Sequence, residues 1–137
     1  MKRIFGAALL GTFFSFHALA DVVVVVSPDN EAVLSSQSVK RIFLGQENEF
    51  STGEESTPVN QPVGLQARNE FDNKILKLKT ARVTATLSKL VFTGRAQMPL
   101  EAASDAEVIE LIKKDKSVIG YIDSSSVTDD VKVVDLD

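Results

Sequence analysis

The sequence predicts a small α/β domain built on one sheet, and three observations carry that prediction. Four short segments with strand character, Val22 to Val26, Thr57 to Gln61, Ser117 to Ile122 and Val131 to Val134, are separated by stretches whose apolar residues recur at helical spacing. The chain has 137 residues, enough for one compact domain and a removable leader. Its apolar fraction of 44% with 25% charged residues is that of an ordinary globular protein. It shows no internal repeat, low-complexity linker or second domain.

The leader comes first. Lys2 and Arg3 precede a mostly apolar stretch from Ile4 to Leu19, and Ala18-Leu19-Ala20 supplies the small-x-small pattern of a signal peptidase site. Residues 1–20 are therefore expected to be a cleaved signal peptide, and residues 21–137 the mature domain. The alternative is an uncleaved membrane anchor. The run is short for a bilayer crossing and is broken by Gly6, Gly11, Thr12, Ser15 and His17. With no cysteine for lipid attachment, the expectation is an exported, periplasmic protein without an anchor.

Each element then follows in order. The valine run of the first strand is apolar on both sides, as suits a strand buried on both faces, and Ser27-Pro28-Asp29-Asn30 turns the chain after it. A helix is predicted from about Ser36 to Leu44. Ser35 and Ser36 are its candidate caps, Val39, Ile42 and Phe43 form its buried face, and Gly45 suits a left-handed end. Gln46 to Thr57 reads as an exposed loop pinned by Phe50. In the next strand Pro58 demands an edge or a strand start.

Two helices are expected next. One places Phe71, Ile75 and Leu78 at i, i+4, i+7. The other carries Val83, Leu87, Leu90 and Val91 and ends at Thr93-Gly94. Ser104-Asp105-Ala106-Glu107 fits a capping box for a further helix with Val108, Leu111 and Ile112 inward. Lys113, Lys114 and Lys116 sit where the helix dipole favours cations. The strand at Ser117 to Ile122 is interrupted by Gly120.

Composition excludes several chemistries. The only histidine, His17, lies in the leader, and the chain has no cysteine or tryptophan. The mature chain thus has no Ser-His-Asp triad, thiol nucleophile, imidazole or thiolate zinc site, or haem histidine. Loss of Lys2 and Arg3 takes the net charge from −4 to −6, a poor match for nucleic acid. The carboxylate pairs Glu47/Glu49, Glu54/Glu55 and Asp129/Asp130 fall in polar segments and read as solvated surface rather than as an acid–base couple. No calcium-loop pattern or phosphate-binding glycine loop is present, so neither a metal nor a cofactor is expected, nor is an enzyme.

What remains is anion capture by backbone N–H groups aided by an arginine. Two places offer it. Pro62-Val63-Gly64 leads a helix carrying Arg68, with Asn60 and Gln61 just before it, and Thr93, Gly94 and Arg95 follow a helix. The structural alternative makes Gly64 and Gly94 turn residues and pairs Arg68 with a carboxylate.

The run Ser38-Val39-Lys40-Arg41-Ile42-Phe43-Leu44-Gly45 resembles the IFLG helix of periplasmic phosphate-binding proteins of ABC transporters. Ser117-Val118-Ile119-Gly120-Tyr121-Ile122-Asp123 is similar to their IGY strand. Arg68-Asn69-Glu70-Phe71 and Leu90-Val91-Phe92-Thr93-Gly94 with Pro99 resemble two further pieces of a short, signal-bearing branch. The resemblance spans nearly the whole mature chain and implies a type II periplasmic-binding-protein fold, but only one lobe of it. Full-size members close two lobes over a ligand, and this chain has no room for the second.

Their Arg-x-Asp-Gly-Ser-Gly-Thr loop aligns here with Gln61, Val63, Gly64, Leu65, Gln66 and Ala67, so only one glycine survives. The resemblance implies a small, phosphate-like anion as ligand, near Asn60, Gln61, Gly64 and Arg68. It also implies a permease or envelope protein as partner. A lone lobe exposes the face its partner would cover, so the other reading is a protein-interaction module that has lost its solute, or a homodimer.

Overall fold

The computed structural model describes residues 21–136; the expected signal peptide lies outside them. Five strands form one mixed sheet: β1 (Val22–Val26), β2 (Thr57–Asn60), β3 (Leu100–Glu101), β4 (Val118–Asp123) and β5 (Lys132–Val133), in the order β3-β2-β4-β1-β5. β1 lies between β4 and β5 and is antiparallel to both, whereas β2 runs parallel to β3 and β4. The helices are α1 (Ser36–Phe43), α2 (Gln66–Glu70) running on into a π turn at Phe71–Ile75, α3 (Thr80–Phe92) and α4 (Asp105–Lys114).

The unbroken apolar run of β1 is explained by cover on both sides. Successive side chains of a strand point to opposite faces. Val24 and Val26 with Ile119 and Tyr121 meet α1, the π turn and α3, while Val25 with Val59, Val118 and Ile122 meets α4. Two cores thus sandwich the sheet.

Ser35 caps α1, its Oγ accepting from the Ser38 N–H at 3.1 Å. Gly45 (φ +75°) leaves that helix in the left-handed region, as expected. A Cβ there would also lie 2.8 Å from Ala96 Cβ. Phe50 is buried and pins its loop.

Four expectations need correction. Leu78 is only partly buried and Leu76 takes the core position, because the π turn widens the spacing: the Leu76 N–H donates to the Phe71 carbonyl at 3.1 Å, an i→i+5 bond. On α4 it is Val108, Ile109 and Ile112 that are buried, with Leu111 at the margin. The short strand β3 has no counterpart among the expected elements; it takes the sheet edge, so β2 is internal with Pro58 near its start. Gly120 does not break β4; a Cβ there would lie 2.6 Å from Val108 Cγ1, so the glycine lets α4 press onto the strand.

The motif aromatics meet in one place. The Phe71 ring stacks on Tyr121 at 3.9 Å between centroids, 7° from parallel, and Phe43 sits edge-on to Phe71 at 4.7 Å. One ring comes from each of three sequence motifs, so in this chain those motifs encode a packing cluster.

Candidate functional site

Downstream of β2 the chain passes through Asn60 and Gln61, turns at Gly64 (φ +100°, with open space where a Cβ would stand) and enters α2. Asn60, Gln61 and Arg68 are buried, while Val63, Gly64 and Leu65 stand exposed at the tip.

The buried polar groups form one network around Tyr121. The Tyr121 hydroxyl donates to Asn60 Oδ1 at 3.1 Å and accepts the Gln61 N–H at 2.9 Å. Burial pushes the Tyr121 phenol well above its ordinary value, so this hydroxyl stays protonated and able to donate. Gln61 Nε2 donates to Asp105 Oδ1 at 2.8 Å and to the Tyr121 carbonyl at 3.0 Å. Asp105 Oδ2 accepts from the Asp123 N–H at 3.1 Å and from Ser126 Oγ at 2.7 Å. Arg68 Nη1 donates to the Gln61 carbonyl at 3.1 Å, and Arg68 Nε pairs with Asp72 Oδ2 at 2.8 Å. Asp72 is fully buried, and its Oδ1 has no partner among the described residues.

This geometry separates the expected site residues. Both side-chain N–H donors of Gln61 are taken up by Asp105 and Tyr121, so Gln61 acts as a brace between β2, α4 and β4. Asn60 and Arg68 line a hollow of about 140 Å³ together with Val63, Thr84, Leu87, Met98, Pro99, Leu100 and Glu101. Asn60 Nδ2 and Arg68 Nη2 are donors without a partner among the described residues. Arg68 brings one positive charge to this wall, offset by Asp72 beside it and Glu101 at the rim. Gly64 lies outside the hollow, on the tip.

Thr93, Gly94 and Arg95 lie elsewhere. Thr93 Oγ1 donates to the Lys89 and Leu90 carbonyls at 3.0 and 3.1 Å and closes the end of α3, and Gly94 (φ +73°) turns the chain. Gly94 and Arg95 border a second, larger groove of about 510 Å³, whose walls include Glu47, Glu55, Ser56 and the Met98–Leu100 segment. The two hollows share that segment as a wall. The carboxylate pairs lie on the surface as expected, with Glu47 held by Arg41 at 3.7 Å. Among the described residues, no cluster of acidic side chains could hold a metal ion.

Asp72, Asp105 and Glu101 are not among the residues expected at the site. Asp72 was within reach of sequence reasoning, since it stands four residues after Arg68 on one helical face. Asp105 and Glu101 arrive from distant elements, and no local pattern announces them.

No family model and no curated protein matches this chain. Solved structures do. An ABC-type phosphate transport receptor from Vibrio cholerae is similar at 17% identity, with a TM-score of 0.66 over 85% of this chain and 46% of the receptor. A putative phosphate ABC transporter substrate-binding protein from Clostridium perfringens, solved with bound phosphate, gives 17% identity and a TM-score of 0.67, covering 85% and 44% of the two chains. PstS from Borrelia burgdorferi gives 15% and 0.63, covering 85% and 47%.

The chain thus has the fold of one lobe of a type II periplasmic binding protein, with the small mixed sheet and flanking helices expected of it. It spans less than half the length of these phosphate receptors.

Proposed function

We propose that this chain is an exported solute-binding lobe that takes a small oxyanion, phosphate being the type, in the hollow beside Asn60 and Arg68. The observation that carries the reading is the pair of spare donors, Asn60 Nδ2 and Arg68 Nη2, on two buried residues lining that hollow. Both nitrogens reach solvent at the hollow, where an amide N–H and a guanidinium N–H suit an acceptor-rich ligand. At about 140 Å³ the hollow admits a solute of a few non-hydrogen atoms and not a large one. The similar phosphate receptors support the ligand class.

In this reading the mechanism is reversible capture. Asn60 and Arg68 donate to the anion, and Gln61 holds Arg68 in place through its carbonyl. No covalent step is involved. Export follows from the leader, and delivery would be to a permease.

One lobe leaves the ligand open to water on one side, and Asp72 and Glu101 oppose a doubly charged anion. The expected affinity is therefore weak, about millimolar. Isothermal titration of the protein purified from a periplasmic extract, against phosphate, sulfate and acetate, tests this. Binding that weakens at least tenfold in Asn60→Ala is the expected result. Absence of heat at tens of millimolar ligand overturns the reading.

A second reading has its own observation. Val63 and Leu65 stand where the full-size loop has Asp and Ser, and both are exposed, as are Met98 and Leu100. Apolar groups displayed on the tip suit contact with another protein. In that case the protein co-purifies with an envelope partner or runs as a dimer in light scattering, and phosphate gives no heat.

A further inference from the structure

Charge is segregated along this chain. Residues 73–100 carry six cations, Lys74, Lys77, Lys79, Arg82, Lys89 and Arg95, and not one Asp or Glu, while all 19 carboxylates lie outside that stretch. All six cations are exposed. Lys74 pairs with Asp21 at 3.4 Å, and the other five take part in no ion pair among the described residues. An acidic protein therefore exposes a basic stretch that contains no carboxylate.

The face is built on α3. That helix buries Val83 and Leu87. At 3.6 residues per turn, Arg82 and Lys89 fall two turns apart on one stripe, and Ala85 and Phe92 fall beside them on the side away from Val83. Phe92 is 93% exposed. Lys77 and Lys79 extend the face before the helix. Arg95 extends it after, at the border of the larger groove, where Glu47 and Glu55 also lie.

We propose that this face docks on an anionic phospholipid surface, with Phe92 entering the headgroup layer and the cations of α3 and its flanks pairing with lipid phosphates. Two features favour a bilayer over an acidic protein. Arg82 and Lys89 stand on the outer stripe of α3 and the other cations before and after it, so the positive charge is spread along the chain rather than gathered at one point. An aromatic side chain that is 93% exposed at the helix end suits shallow insertion into a headgroup layer. The negative net charge does not prevent docking, because charges beyond about 8–10 Å are screened at physiological salt and the facing surface dominates. Among the described residues no helix is long and apolar enough to cross a membrane, so the contact is peripheral. This inference does not depend on what the hollow at Asn60 binds.

Co-sedimentation with vesicles tests it, using the protein purified from a periplasmic extract. Binding is expected to vesicles of phosphatidylcholine mixed with phosphatidylglycerol, to weaken with added salt, and to be absent on phosphatidylcholine alone. Arg82→Gln with Lys89→Gln should lower the partition coefficient roughly 25-fold, since each cation near such a surface is worth roughly fivefold. Phe92→Ser should lower it without changing the salt dependence. All three positions are exposed, and circular dichroism checks that the variants keep their fold. Equal binding to neutral vesicles, no binding to either kind, or unchanged binding by the double variant overturns the proposal. So does capture by immobilised poly-glutamate in place of vesicles, which would assign the face to an acidic protein.

Discussion

Arg68 is held inward by an ion pair and, in the proposed reading, donates outward as well. Its guanidinium is buried and paired with the fully buried Asp72, and its Nη2 is the nitrogen the proposed anion would meet. Removing one member of such a pair leaves an uncompensated charge in the interior, so Arg68→Met should cost about 3–5 kcal/mol. Adding Asp72→Leu removes the orphaned carboxylate and should recover most of that loss. Urea unfolding of the two variants measures both effects, and a neutral Arg68→Met would show that Asp72 is solvated.

Tyr121 allows a prediction about pH as well. Tyr121→Phe leaves Asn60 Oδ1 and the Gln61 N–H without their partner, at a cost of about 1–3 kcal/mol. Burial holds the folded phenol above its ordinary value of 10.0. Above about pH 10 the unfolded chain therefore loses this proton while the folded chain keeps it, and stability falls as pH rises. Below that pH the group adds no pH dependence. The alkaline slope of unfolding free energy should be shallower in Tyr121→Phe than in the wild type.

Among the elements, α4 presses close onto β4. Gly120 leaves room for Val108, whose Cγ1 would lie 2.6 Å from any Cβ placed there. Gly120→Ala should destabilise the protein by about 1–3 kcal/mol through overpacking, and Val108→Ala in the same chain should return part of it. Thermal unfolding of the single and double variants is the measurement. Full tolerance of Gly120→Ala would mean that α4 can shift outward. The π turn belongs here too. By inserting one residue into the helical repeat it puts Phe71 and Leu76 into the same core and holds Arg68 and Asp72 against Gln61.

Taken as one molecule, the chain is a lobe with both faces of its sheet already covered by its own helices. The sheet therefore needs no second lobe to cover it, whereas the proposed capture of an anion would gain from one. A solute held by one wall lacks the contacts that closure of a partner lobe supplies, which is why weak capture is the expected outcome of the titration. The basic face of α3 points the same molecule toward an anionic surface. A small lobe that both contacts lipid headgroups and holds a small anion weakly would work close to a membrane.

Short-range chemistry was readable in the primary structure. The Ser35 and Ser104 caps, the glycine ends of α1 and α3 and the valine strand all depend on neighbours within a few positions, and each lies where local rules put it. Three of the four motifs likewise pointed to the fold, because their aromatic residues Phe43, Phe71 and Tyr121 make its core, whereas Phe92 of the fourth is exposed. Long-range pairing was not readable. Whether Gln61 braces the sheet or meets a ligand depends on Asp105, 44 residues away, and on Tyr121, 60 residues away. The edge strand β3 exists because β2 offers it two residues of backbone, not because Leu100 and Glu101 favour a strand. A buried polar group takes whichever partner folding brings within hydrogen-bond distance, and only the three-dimensional arrangement selects that partner.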